Sequence, residues 1–237
     1  MKYTAILMDL DGTLLGMDED LFTKAYFKRL CKKLAPHGYD PDRLIGVIWK
    51  GTKAMVENHG EQTNEEVFWR VFAEEYGEEA LKDYPIFVDF YENEFDEARS
   101  ACETMPEIKD MVDALQAKGY RLIIATNPIF PSIATRKRIT WARLDPDMFE
   151  LVTTYENSTS GKPNLSYYQE ILGKLGLLPE ECLMVGNDAH EDGVARSLGM
   201  DVFLFPRFLI NRKNEDISSF PQGGPRELLT YLEETEC

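Results

Sequence analysis

Four short apolar runs, each ending in polar or charged residues, place the strongest constraint on how this 237-residue chain can fold. Continuous runs of this length, bounded by turn residues, are typical of strands that are buried on both faces of a sheet. Stretches with helical periodicity separate them, and strands that alternate with helices predict a parallel sheet. The runs lie at residues 6–8, 120–127, 181–188 and 201–206.

The segment from residue 14 to about residue 102 has a different pattern. It carries amphipathic helical periodicity at 21–34, 41–58, 64–76 and 87–98, with little strand signal. The aromatic residues Phe87, Phe90, Tyr91 and Phe95 recur at helical spacing, which favours a packed helical core.

We therefore predict the α/β class, with a Rossmann-like parallel sheet in the core and an inserted α-helical cap domain. The core comprises residues 1–15 and 103–237, and the cap comprises residues 16–102. Core helices are expected at 105–118, 164–175, 192–198 and 226–234.

Charge and composition exclude several classes of function. Lysine and arginine number 26 against 42 aspartates and glutamates, so the net charge is −16, which disfavours nucleic acids and anionic membranes as partners. No apolar stretch approaches the ~20 residues of a membrane span, and the N-terminus lacks the pattern of a signal peptide. The four cysteines lack metal-ligand spacing and are interpreted as free thiols. We expect a cytoplasmic protein, and the sequence does not indicate its oligomeric state.

The first apolar run ends in the sequence Asp9-Leu10-Asp11-Gly12-Thr13. Two carboxylates at the end of a buried strand repel each other, and a divalent cation is the simplest compensation. Residues two apart in an extended segment point to the same side. One carboxylate can then attack phosphorus while the other protonates the leaving oxygen. Gly12 permits a sharp turn, and Thr13 can hydrogen-bond to the site.

Further polar residues follow the next two runs. Thr126 and Asn127 can bind phosphate oxygens without adding charge, and Lys162 can neutralise an aspartate and a transferring phosphoryl group. Asp188 and Asp192 are four residues apart and suit a hard cation such as Mg²⁺. In parallel sheets, ligands bind beyond the carboxyl ends of the strands, where we expect these groups to meet. His190 lacks a second histidine and is interpreted as an exposed loop residue.

In this order, the motifs resemble those of the haloacid dehalogenase-like hydrolase superfamily. The likeness spans residues 3 to about 205: Asp9 to Thr13 match the first motif, Thr126 the second, Lys162 the third, and Asp188 with Asp192 the fourth. The inserted segment resembles the helical cap that some members carry after the first motif. One departure is Asn187, since many members have aspartate directly after the glycine of the fourth motif.

The resemblance implies a role for each matching residue. Asp9 would be the phosphoryl-accepting nucleophile and a Mg²⁺ ligand, and Asp11 the general acid/base, with its backbone carbonyl on the metal. Thr126 and the Asn127 amide would hold the phosphoryl group, and Lys162 would fix the nucleophile. Asp188 and Asp192 would bind the metal or orient its water, with Asp188 as the second carboxylate ligand.

These roles predict a Mg²⁺-dependent phosphatase that hydrolyses a small-molecule phosphate monoester through an aspartyl phosphate. Asp11 favours phosphatase over dehalogenase, because an alkoxide needs a proton on leaving and a halide does not. A phosphohexose mutase of the same fold is an alternative. A non-enzymatic phospho-acceptor or binding protein is another, although a phospho-acceptor domain would be about half as long. Trp49 and Lys50, in a glycine-flanked stretch of the cap, are candidate specificity residues.

Overall fold

The computed structural model describes residues 2–235. Within that range, five parallel strands form one sheet and two antiparallel strands form another. The strands are β1 (Ala5–Met8), β2 (Gly16–Met17), β3 (Cys102–Glu103), β4 (Arg121–Ile124), β5 (Leu151–Val152), β6 (Cys182–Gly186) and β7 (Asp201–Leu204). The large sheet has the order β5-β4-β1-β6-β7, so β1, which carries the first motif at its carboxyl end, lies at the centre.

Residues 2–235 also contain eight α-helices. They are α1 (Glu19–Leu34), α2 (Pro41–Val56), α3 (Asn64–Tyr76), α4 (Tyr84–Asn93), α5 (Pro106–Ala117), α6 (Ser132–Trp141), α7 (Leu165–Leu175) and α8 (Pro225–Thr235). Polar side chains cap the N-termini of several of these helices. Asp18 accepts a hydrogen bond from the backbone N–H of Leu21, and Thr63 with Glu66 forms a capping box at the start of α3.

Successive side chains of β1 point to opposite faces of the sheet, and helices cover both faces. Ile6 and Met8 belong to the apolar cluster that contains residues of α5 and α8. Ala5 and Leu7 belong to the cluster formed with α7. The α/β class and the parallel sheet predicted from the apolar runs are therefore confirmed.

All regular structure between β2 and β3 is helical, and we call residues 18–101 the helical insertion. Gly16 pairs with Glu103, and Met17 with Cys102, so both connections to the core run side by side. The predicted cap boundaries, at residues 16 and 102, lie in β2 and β3. The helical pattern at 87–98 is divided between α4 and a 3-10 segment, Phe95–Ala101.

Asn64 ties the helical insertion to the core beside the predicted site. Its side chain is fully buried, and Nδ2 donates to the carbonyl oxygens of Pro128 at 3.0 Å and Ser160 at 3.2 Å. Its Oδ1 accepts from Asn58 Nδ2 at 2.9 Å. The two carbonyls belong to the loops that follow Thr126 and precede Lys162. A single side chain of the insertion thus joins two loops of the predicted site.

Replacing Asn64 with alanine is expected to lower the free energy of unfolding by roughly 2–3 kcal/mol, because buried carbonyl groups lose their hydrogen-bond donor. Urea unfolding followed by circular dichroism measures the change. Asn93→Ala is the control, because Asn93 is exposed and donates to Asp89 on the surface, so its loss should cost well under ~1 kcal/mol. Equal destabilisation by the two substitutions would contradict the anchoring role of Asn64.

The structure corrects the sequence prediction at three elements. Helix α6 was not predicted, because its buried face includes Thr135 and Arg138 and is therefore not apolar. Strand β5 was also missed, since two residues carry no detectable pattern. The helix expected at 192–198 is a 3-10 segment, Gly193–Leu198.

Two further expectations concern cysteines and membranes. Cys31, Cys102 and Cys182 are free thiols, and Cys237 lies outside the described residues. No helix in the described part of the chain is both long enough and apolar enough to cross a bilayer.

Candidate active site

Asp9 lies at the carboxyl end of β1, nearly buried, and its backbone N–H donates to the Val185 carbonyl oxygen of β6 at 2.9 Å. Lys162 Nζ donates to Asp9 Oδ1 at 2.9 Å. The Thr13 hydroxyl lies 3.2 Å from Asp9 Oδ2 and 3.0 Å from Asn187 Oδ1, within hydrogen-bond distance of both. The first and third motifs therefore meet at one carboxylate.

Lys162 is buried between two carboxylates. Besides Asp9, it contacts Asp192 Oδ1 at 2.6 Å, and only 1% of its side chain is exposed. Burial acts to lower the pKa of the Lys162 ammonium, but Asp192 and Asp9 outweigh that effect and the pKa is raised. Lys162 is therefore a fixed positive charge beside Asp9.

The loop after β6 brings Asp188 and Asp192 together. Asp192 Oδ2 accepts from the backbone N–H of Asp188 at 2.9 Å, so both Asp192 oxygens are hydrogen-bonded. A Cβ at Gly186 would lie 2.0 Å from Asp192 Oδ2, which explains the glycine at the end of β6. Asp188 Oδ1 accepts from the N–H groups of His190 and Glu191, each at 2.8 Å. Asp192 thus orients the Asp188 loop.

Asn187, the departure from the family pattern, packs against the first motif. Its Nδ2 donates to the Phe208 carbonyl oxygen at 2.8 Å, and its Oδ1 contacts Thr13. Gly12 has a φ of +84°, and a Cβ there would lie 2.3 Å from Asn187 Nδ2. Glycine is therefore needed at position 12 for two reasons: the positive φ, and the lack of space for a Cβ beside Asn187. Asn187 is thus held against the first motif, and the carboxylate that follows it, that of Asp188, lines the cavity.

The carboxylate of Asp11 forms an ion pair with Arg138 of α6, a residue that the sequence did not indicate. Arg138 is 1% exposed, and its guanidinium lies 4.5 Å from the centre of the Phe130 ring. Burial raises the pKa of the Asp11 carboxyl to about 6; Arg138 acts against this shift, and Asp9 adds to it. Within residues 2–235, Asp11 Oδ1 has no hydrogen-bond partner. No sequence signal separates Arg138 from the neighbouring Arg136 and Lys137, which are partly exposed.

Thr126 and Asn127 follow β4 at the same edge of the sheet. The Thr126 carbonyl oxygen accepts from the hydroxyl groups of Thr153 at 2.7 Å and Tyr167 at 2.8 Å, which fixes the peptide between Thr126 and Asn127. Asn127 Nδ2 contacts Glu191 Oε2 at 3.3 Å. Asn127 Oδ1 is buried and has no partner within the described range.

Glu191 is a second residue that the sequence did not indicate. Burial raises the pKa of its carboxyl to about 7, and Lys162 opposes the shift. The residue lies between Asp188 and Asp192 in the chain, where the sequence pattern indicates only a loop. Its side chain faces the same cavity as theirs.

These side chains open onto a cavity of about 760 Å³ between the core and the helical insertion. Trp49 lines the cavity, whereas Lys50 is not among the lining residues and forms an exposed ion pair with Glu75. The structure therefore does not bring Lys50 to the site with Trp49. His190 is half-buried and contacts Glu215 and Lys213 away from the cavity.

The residues present fit a Mg²⁺ ion by donor type. Across residues 2–235, no three His, Cys, Asp or Glu side chains are arranged to hold a metal. The ligand set that the family resemblance implies needs only two carboxylates, those of Asp9 and Asp188, together with the Asp11 backbone carbonyl. Neither Asp188 Oδ2 nor that carbonyl oxygen accepts a hydrogen bond in the described part of the chain. These hard oxygen donors are available to a cation.

Comparisons with known proteins identify the family of this chain. The family model for haloacid dehalogenase-like hydrolases matches residues 6–205. The chain is 25% identical to pyrophosphatase PpaX of Bacillus cereus over 193 residues, 81% of this chain and 77% of that protein. It is 25% identical to phosphoglycolate phosphatase of Aquifex aeolicus over 228 residues, 96% of each.

Two solved structures show the same fold. A 2-haloacid dehalogenase from Pseudomonas syringae superposes with a TM-score of 0.62 at 17% identity, covering 98% of this chain and 99% of that one. An HAD phosphatase from Thermococcus onnurineus gives 0.57 at 22% identity, covering 97% of each chain. The family model spans most of the chain, and in the structure Lys162 of the third motif contacts both Asp9 of the first and Asp192 of the fourth. The chain belongs to the haloacid dehalogenase-like hydrolases.

Proposed function

We propose that this protein is a Mg²⁺-dependent phosphatase that hydrolyses a small-molecule phosphate monoester through an aspartyl phosphate on Asp9. The observation that carries the proposal is the pairing of two aspartates with different cations at one strand end. Lys162 holds Asp9, and Arg138 holds Asp11. Two carboxylates in different environments suit a nucleophile and an acid. The phosphatase names of the two curated relatives support this reading.

In the first step, an Asp9 oxygen attacks phosphorus and the bond from phosphorus to the ester oxygen breaks. Asp11 gives its proton to that leaving oxygen. Lys162 screens the charge of Asp9 from the incoming phosphoryl oxygens, and Thr126 and Asn127 hold those oxygens at the edge of the sheet.

In the second step, Asp11 takes a proton from water as the water attacks phosphorus. The bond from phosphorus to Asp9 then breaks, and inorganic phosphate is released. A Mg²⁺ ion on Asp9, Asp188 and the Asp11 carbonyl would supply positive charge to the phosphoryl group. Asp192 would act through Lys162 and the Asp188 backbone.

Release of inorganic phosphate from p-nitrophenyl phosphate and from a panel of phosphorylated metabolites tests the proposal, with Mg²⁺ present or removed by EDTA. Turnover that requires Mg²⁺ is expected. Absence of turnover throughout the panel would contradict the proposal. Isomerisation of a hexose phosphate without net release of phosphate would instead identify the mutase alternative.

Replacing Arg138 with methionine is expected to slow hydrolysis most for substrates with poor leaving groups, because Arg138 is a positioning residue for the acid Asp11. For an alkyl phosphate we expect a loss in kcat of about 10²-fold, the scale of general acid catalysis. For p-nitrophenyl phosphate, whose phenolate needs little protonation, the loss should stay below ~10-fold.

Arg138→Lys is the matched variant, since it keeps the charge but not the planar geometry of the guanidinium. It should recover part of the activity on the alkyl phosphate. Equal losses on both substrates would contradict the positioning role and indicate a general structural one.

A further inference from the structure

The cavity has two chemically distinct ends. Asp9, Asp11 and Lys162 lie at the end formed by the core. The opposite end is formed by the helical insertion, and its wall is aromatic: Phe27, Trp49, Phe68, Trp69, Phe87 and Tyr91. Since the phosphoryl group must reach Asp9, the rest of the substrate has to occupy the aromatic end.

The aromatic wall comprises two groups of contacting rings, one around Trp49 and one around Trp69. Ring centres lie 5.6 Å apart for Phe27 and Trp49, 5.3 Å for Phe68 and Trp69, and 5.2 Å for Trp69 and Phe87. Trp49 is 51% exposed although it is a large apolar residue, so it offers free ring surface beside the cavity. Aromatic surfaces of this kind bind planar apolar groups by stacking or edge contacts. The cavity volume of about 760 Å³ accommodates a group larger than one ring.

The charges around the cavity are predominantly negative. Among the described residues that line it, eight carry a carboxylate and three carry a cation. Each of those cations is already paired: Lys162 with Asp9 and Asp192, Arg138 with Asp11, and Arg212 with Glu19. A second anionic group on a substrate would therefore meet aromatic rings and carboxylates, without an unpaired lining cation to receive it.

We propose that the substrate is a phosphate monoester whose leaving group is uncharged and aromatic, or of similar apolar bulk. This inference rests on the proposed phosphatase function and narrows it. Phosphoglycolate and pyrophosphate, named for the two curated relatives, each carry a second anionic group. The walls of this cavity disfavour both.

A matched pair of substrates tests the charge argument. Phenyl phosphate and 4-carboxyphenyl phosphate differ by one carboxylate, which makes the phenol a slightly better leaving group. We nevertheless expect kcat/KM to be at least about tenfold higher for phenyl phosphate, because like charges repel in the cavity. We also expect kcat/KM to be higher for 1-naphthyl phosphate than for phosphoglycolate or pyrophosphate.

Two pairs of variants locate the effect in the cavity. Thr52 of α2 lines it, so Thr52→Lys should raise the relative rate on 4-carboxyphenyl phosphate about tenfold, whereas Thr52→Met, of similar length without charge, should not. Trp49→Ala should raise KM for 1-naphthyl phosphate about fivefold, and should raise it more than KM for acetyl phosphate, which carries no ring. Leu178→Ala, which removes an exposed apolar side chain elsewhere, should change neither.

The outcomes separate this inference from the function on which it rests. Equal or faster hydrolysis of 4-carboxyphenyl phosphate, or preference for phosphoglycolate or pyrophosphate over 1-naphthyl phosphate, would overturn the inference and leave the phosphatase proposal intact. Failure to hydrolyse any of these substrates, while another phosphorylated metabolite of the panel is hydrolysed, would also overturn the inference alone. Absence of turnover throughout the panel, including p-nitrophenyl phosphate, would overturn both.

Discussion

Replacing Asp9 with asparagine is expected to reduce kcat by on the order of 10⁴- to 10⁶-fold, the scale seen when a catalytic nucleophile is removed. The amide oxygen carries no negative charge and attacks phosphorus poorly. The variant should still fold, because Lys162 keeps its ion pair with Asp192 and Thr13 keeps its contact with Asn187. Steady-state hydrolysis of p-nitrophenyl phosphate measures the loss.

Acid quenching of the reaction distinguishes loss of the nucleophile from loss of binding. The wild-type protein should carry a hydroxylamine-sensitive phosphoryl group on Asp9, and Asp9→Asn should carry none. Asp110→Asn, an exposed acid on α5, serves as the control and should keep wild-type activity. Substantial turnover by Asp9→Asn, or a phosphoryl group trapped on another residue, would contradict the assignment of Asp9.

The sequence was sufficient to predict the sheet because each long strand is a continuous apolar run. It also predicted that Asp9, Thr126, Lys162 and Asp188 lie close together, since each follows a strand or precedes a helix at the carboxyl edge of the sheet. All four line the cavity. Parallel topology brings such residues together whatever their separation in the chain, and 153 residues separate Asp9 from Lys162.

The parts that could not be predicted depend on contacts between distant elements. Arg138 lies in a basic stretch that resembles an exposed helix face, and only the tertiary structure shows that it is buried on Asp11. The same applies to Lys50. Its neighbour Trp49 faces the cavity, but adjacent residues on a helix point in different directions, and Lys50 pairs with Glu75 instead.

Replacing Lys162 with methionine is expected to affect both stability and activity, because the substitution leaves Asp9 and Asp192 as neighbouring buried carboxylates without a cation. Removing one partner of a buried ion pair costs roughly 3–5 kcal/mol of folding free energy. Activity should also fall by about 10²- to 10³-fold, since the phosphoryl group loses a fixed positive charge. Urea unfolding and steady-state kinetics measure the two effects separately.

The double variant Lys162→Met/Asp192→Asn separates the two roles of the lysine. Removing the Asp192 charge relieves the repulsion, so we expect it to restore about half of the lost stability, while the side-chain oxygen of the introduced asparagine can still accept from the Asp188 backbone N–H. Activity should stay low, because no cation lies beside Asp9. If the double variant regained activity together with stability, Lys162 would be a structural residue, and the positive charge at the phosphoryl site would have to come from elsewhere.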